Sequence, residues 1–203
     1  MLRPGRPVFS SGGPCILIAR EALEDIRLPN GDYFDSRFWC LAEDIDLWLR
    51  LMLRGWNVVL AGGCRCWHRN SVSFGGTRRL WNKSPALQLV AFRNKYLVVS
   101  GTLPLLTAAS FFPFFCLSDL AITALSSCHD RKAFTASTLA KWDALRMTSH
   151  VWKKRRWILG RRRVSAWAFT WRLWKDIGSW FACEFLHRRG PQPHAPGSVV
   201  PGD

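Results

Sequence analysis

The sequence predicts a layered α/β fold over residues 1–95, followed by a mostly helical, membrane-associated region. Three observations carry this expectation. Short apolar runs alternate with a helical pattern in the order strand, helix, strand. A run of 23 residues without a charge follows, from position 96 to position 118. Beyond it the chain turns basic and rich in tryptophan. With 203 residues, 48% apolar and 21% charged, the chain can bury a core, which excludes wholesale disorder.

The elements follow in order. Residues 15–18 are apolar and leave a Ser-Gly-Gly-Pro loop, which suits a buried strand. Residues 20–26 read as a short helix stopped near Pro29-Asn30-Gly31. Residues 34–41 are aromatic and irregular. Residues 43–54 form the clearest helix: Ile45, Leu49 and Met52 line one stripe, Leu47 and Leu51 widen it, and Gly55 ends it. Residues 56–60 read as a strand, and 64–67 as a second, shorter one.

Residues 96–128 form an apolar, membrane-associated segment. Its uncharged run is long enough to cross a bilayer, but Gly101, Pro104 and Pro113 make it a poor uniform helix. A broken hairpin lying partly in the membrane and a buried helical pair fit equally. Basic residues flank it on both sides, so charge gives no orientation.

Residues 129–189 form a basic, Trp-rich, amphipathic helical region, and the Pro/Gly-rich residues 190–203 a disordered tail. The net charge of +15 is divided unequally: +5 over residues 1–128 and +10 over residues 129–203. Val164, Trp167, Trp171, Trp174, Gly178, Phe181 and Phe185 recur at helical spacing. A basic helix with an aromatic stripe suits an anionic membrane surface. Packing of the stripe on its own domain is the second reading, and phosphate-mediated nucleic-acid binding the third and weakest. Seven irregularly spaced cysteines form no disulfide framework and are expected as reduced thiols. The basic N-terminus has no long apolar core and does not read as a signal peptide.

Glu43, Asp44 and Asp46 place three carboxylates in four residues. Acidic residues at a helix start offset its positive end, which is reason enough for them to be there. The same position keeps a carboxylate ionised and able to take a proton. Asp44 and Asp46 stand two apart on a helix, about 200° around it, and cannot share one ion. His68 follows the last expected strand; a histidine there is structural or a divalent-metal ligand. Cys64, Cys66 and His68 would lie about 7 Å apart in sequence along one strand face, too spread for one zinc.

Taken as an ordered series, these pieces resemble the C-terminal half of a family-2 glycosyltransferase, closest to the rhamnosyltransferase-like branch. The series is Gly12-Gly13-Pro14 with the following Cys15-Ile16-Leu17-Ile18, then Phe34-Asp35-Ser36-Arg37-Phe38, Glu43-Asp44-Ile45-Asp46-Leu47, Gly55-Trp56, Trp67-His68 and Arg93-Asn94-Lys95. The resemblance implies a partial GT-A, Rossmann-like domain lacking its N-terminal nucleotide-binding half. It implies transfer of a sugar from a nucleotide-sugar to a lipid-linked or cell-surface glycan, with inversion. By it, Asp44 is the general base and Glu43 orients the acceptor. Phe38 and Trp39 border the acceptor side, and His68 helps hold Mg²⁺ or Mn²⁺ on the donor diphosphate. It further implies the cytoplasmic face of a bacterial inner membrane, inactivity of this chain by itself, and a complementing N-terminal half as partner. The alternative is a non-enzymatic basic protein that binds membranes or nucleic acid.

Overall fold

The computed structural model describes residues 15–59, 61, 83–129 and 131–187. It is 73% helix, and among the described residues no strand or sheet forms. This overturns the expected α/β class and its partial GT-A sheet. Of the segments that read as strands, residues 15–18 have no regular structure; of residues 56–60, residues 56–58 have none, Val59 makes a single bridge, and residue 60 lies outside the described residues. A strand needs a neighbour with which to exchange backbone hydrogen bonds. Here Ile16, Ile18 and Trp56 instead bury their side chains against a cluster of Ala22, Ile26, Leu47, Trp48, Leu51 and Val58. Burial, not pairing, accounts for their apolar character. The expected strand at 64–67 lies outside the described residues.

The elements run α1 (Arg20–Asp25), a 3-10 turn (Ser36–Phe38), α2 (Glu43–Leu53), α3 (Pro85–Gly101), α4 (Leu105–His129), α5 (Arg131–Arg146), α6 (Thr148–Gly160) and α7 (Ala166–His187). Helix α2 is the centre. Every residue from 46 to 53 is buried, so the helix is covered on all sides rather than along one stripe. Leu47, Trp48 and Leu51 pack toward α1. Leu49, Met52 and Leu53 pack toward Leu97 and Val98 of α3, Val151 and Ile158 of α6, and Phe169 and Leu173 of α7.

Helix α2 stops where the sequence places the stop. Gly55 takes φ +88°, a left-handed conformation open to glycine without strain. Its N–H donates to Met52 O at 3.0 Å, and the Trp56 N–H donates to Leu51 O at 3.0 Å. These are the two bonds of a Schellman cap, and the Trp56 side chain packs on the Leu51 cluster to complete it. The same end is fastened to α1. Asp25 accepts from Arg54 Nε at 3.0 Å and from Trp56 Nε1 at 2.9 Å. Those bonds, led by that from Arg54, outweigh burial and hold the Asp25 carboxyl at a pKa of about 2.

Helix α3 starts at a Ser84 cap whose hydroxyl accepts from the Leu87 N–H, with Pro85 at its first position. The long uncharged run does not form one helix. It is divided between the end of α3 and the start of α4 by a break in which Thr102, Leu103 and Pro104 are buried. Helix α3 packs on α5 and α6, and α4 on α5 and α7. The outer face of α4 is bare: Phe112, Phe114, Leu117 and Leu120 are exposed. In α7 the aromatic stripe divides. Trp167 and Trp171 point outward, whereas Trp174 stacks on Phe111 of α4 at 4.2 Å.

Candidate functional site

The site is built on the irregular segment before α2. Asp35 opens the 3-10 turn by accepting from the Arg37 N–H at 3.1 Å. Three residues then take left-handed backbone conformations without being glycine: Trp39 (φ 56°), Leu41 (φ 67°) and Ala42 (φ 72°). Each costs about 1–2 kcal/mol, so the segment must be held from outside. Helix α3 does this. The Asn94 side-chain amide, fully buried, donates to the carbonyls of Phe38 (3.0 Å), Cys40 (2.8 Å) and Leu41 (2.6 Å). Its neighbour Arg93 donates to Arg37 O at 2.6 Å and pairs with Asp143 of α5 at 3.0 Å.

The turn sorts the side chains that follow it. Phe38 goes inward and is fully buried, with the Lys154 ammonium 4.7 Å from its ring centre. It is therefore a core residue and does not border the cleft. Trp39 is turned out and 66% exposed. Glu43 and Asp44 begin α2, both half-buried. Trp39, Glu43 and Asp44 meet Ile16, Phe34 and Asp35 around a cavity of about 500 Å³.

The two carboxylates differ within this cleft. Asp44 Oδ1 accepts from the Ile45 N–H at 2.8 Å, at the positive end of the helix. Glu43 is less well placed: its Oε2 is buried and finds no partner among the described residues. Burial pushes the Glu43 carboxyl above its ordinary value, a backbone N–H opposes this, and the Asp44 charge adds to it.

Asp46, one turn on, has a different role. It is fully buried and paired with Arg50 (3.0 Å) and Lys154 (2.8 Å), and it accepts from the Thr102 hydroxyl at 2.5 Å. Lys154 also pairs with Asp35 at 2.9 Å, and His150 Nε2 stands 3.1 Å from the same carboxylate. Burial disfavours both aspartates as anions, but Lys154, with His150 and the Arg37 N–H at Asp35 and with Arg50 and Thr102 at Asp46, outweighs it. Asp35 is held at a pKa of about 2 and Asp46 below its ordinary value. Asp35 thus belongs both to the cleft wall and to an ionic cluster that ties α2 to α6.

Three of the residues singled out in the sequence, Asp44, Glu43 and Trp39, share the cleft. His68 lies outside the described residues. The contributions of Asp35, Asn94 and Lys154 have weaker signals. Lys154 sits in a Lys-Lys-Arg-Arg run that reads as a solvated face. Its spacing from Val151 and Ile158, three and four residues away and both buried, marks it as inward-facing. Among the described residues no three His, Cys, Asp or Glu side chains gather into a group that could hold a metal ion. Compared with protein-family models, curated proteins and solved structures, the chain finds no significant match.

Proposed function

We propose that the Glu43–Asp44 cleft is the acceptor side of a sugar-transfer site, receiving a hydroxyl of a lipid-linked or cell-surface glycan. One observation carries this reading: a half-exposed carboxylate at a helix start shares a cleft with an exposed tryptophan and a second carboxylate whose buried oxygen has no partner among the described residues. A sugar offers the complementary chemistry, an apolar ring face for Trp39 and hydroxyl donors for the carboxylates. Asp44 takes the hydroxyl proton as the acceptor oxygen forms its bond to the anomeric carbon of a nucleotide-sugar. The bond from that carbon to the diphosphate breaks, and attack from the opposite face inverts the centre. Glu43 accepts a hydrogen bond from the acceptor and fixes its orientation.

The experiment is Asp44→Asn in a chain supplied with a donor-binding half. Transfer falls by about a hundred-fold or more, as for loss of a general base, while thermal stability is unchanged. Activity that survives the substitution removes Asp44 from the role.

A second reading, attachment to an anionic membrane without catalysis, is favoured by the outer surface. Trp142, Trp152, Trp157, Trp167 and Trp171 are all exposed, among a strongly basic set of side chains. Sedimentation with anionic vesicles that weakens in high salt supports it, and preferential capture by nucleic acid counts against it. The cytoplasmic face of a bacterial inner membrane suits both readings.

A further inference from the structure

A second cavity, separate from the cleft, lies where α3, α4, α5 and α7 meet. Its volume is about 1,040 Å³ and its walls are almost wholly apolar, from Leu49 and Val99 through Leu103, Phe111 and Phe115 to Leu145. That is at the top of the range usual for ligand pockets, about 300–1,000 Å³. One end is different. There Asp119 of α4 accepts from the Tyr96 hydroxyl and pairs with Lys95 of α3 at 2.9 Å and Lys141 of α5 at 3.0 Å. Two ammonium groups against one carboxylate leave an excess positive charge. Lys141 also donates to Thr123 at 3.0 Å, and its side chain is 38% exposed. An ammonium has three donors, and Asp119 and Thr123 take two of them.

We propose that this groove holds one acyl chain of an anionic phospholipid, with the lipid phosphate on Lys141. The chemistry is matched at both ends: an apolar trough for the hydrocarbon and a net positive rim for the phosphate. The geometry of α4 agrees. In its most apolar stretch, residues 105–125, only 6% of an 18-residue window is buried, so the groove opens beside a bare hydrocarbon-like surface. The apolar stretch Leu105–Leu125 is 21 residues, about 32 Å of helix, enough by length and composition to cross a hydrocarbon core of about 30 Å. Asp119 stands about 9 Å from its C-terminal end, with Lys95 and Lys141 beside it, so the charged rim lies toward one end of that stretch, the side on which phospholipid phosphates are met. The proposal does not depend on the role of Asp44.

The test uses the full-length chain purified in detergent and mixed with phosphatidylglycerol or phosphatidylcholine of the same acyl composition, with retained lipid counted by native mass spectrometry. One phosphatidylglycerol per chain is expected, favoured over phosphatidylcholine by about five-fold, as for one lysine at an anionic surface. Leu145→Glu, a change at an exposed groove position, should abolish retention of both lipids. Lys141→Gln should equalise the two lipids while leaving retention itself, and both variants should keep the wild-type circular dichroism. Retention of phosphatidylglycerol unchanged in both variants overturns the proposal. So does equal retention of the two lipids by the wild-type chain, or a dimer formed in place of a lipid complex.

Discussion

The side-chain amide of Asn94 donates to the backbone carbonyl of Leu41 across 2.6 Å of space and 53 residues of sequence. The same amide serves Phe38 and Cys40, so one buried side chain holds a turn in which three non-glycine residues are left-handed. Asn94→Ala should leave these carbonyls without their donor and cost about 1–3 kcal/mol in urea unfolding. Asn94→Asp should cost more, because an ionised carboxylate would face three carbonyl oxygens with nothing to donate. Equal stability of the two variants would show that the amide does not hold the turn.

Lys154 is the shared cation of two buried carboxylates, Asp35 and Asp46. Lys154→Met keeps the chain length and much of the volume but leaves Asp46 with Arg50 as its remaining ion-pair partner and takes from Asp35 its buried cation. Breaking a buried pair from one side costs about 3–5 kcal/mol, and the same order is expected here by chemical denaturation. A loss below about 1 kcal/mol, the size of a surface pair, would place Lys154 outside the stabilising cluster.

Acid should unfold the protein through these same groups. Asp25 and Asp35 are held at about 2, and Asp46 is also lowered. A carboxyl depressed in the folded state adds stability that is complete above its unfolded value, about 3.9, and drains away as pH falls toward the folded value. Thermal midpoints should therefore be level above about pH 5 and drop steeply between about pH 4 and pH 2. Asp35→Asn should lower the plateau and flatten the drop. A drop as steep as in the wild type would assign the acid transition to other groups.

Gly55→Ala tests the end of α2. The added methyl would meet only Val164 Cγ2, at an ordinary 3.9 Å, so the cost lies in the backbone at φ +88°. About 1–2 kcal/mol should be lost, and Gly55→Asn, which enters this conformation more readily, should lose less. No loss would mean that the backbone at this position relaxes.

These residues also show what can be read from the sequence. The start and stop of α2 were legible, because acidic residues and a glycine act locally on helix ends. The surroundings of α2 were not. Its apolar stripe predicts one buried face, yet α1, α3, α6 and α7 cover it on every side. The runs that hold Ile16, Ile18 and Trp56 suggest strands because a short apolar run looks the same paired in a sheet or packed on a helix. Within the acidic cluster the division of roles depends on a distant partner. Asp46 is drawn inward by Lys154, 108 positions later, and nothing near Asp46 announces that partner. Trp39 is pointed to by the family resemblance alone, whereas the turn that exposes it is fixed by Asn94.

The first four residues of α2 look in three directions at once: Asp44 into the cleft, Ile45 onto the apolar groove, and Asp46 into the ionic cluster. Each residue advances the helix by about 100°. One amino acid inserted or deleted between Glu43 and Asp46 would therefore misalign all three environments together, sending an acid toward the apolar groove or an aliphatic side chain into the carboxylate cleft. Across this single turn the chain is bound to keep count.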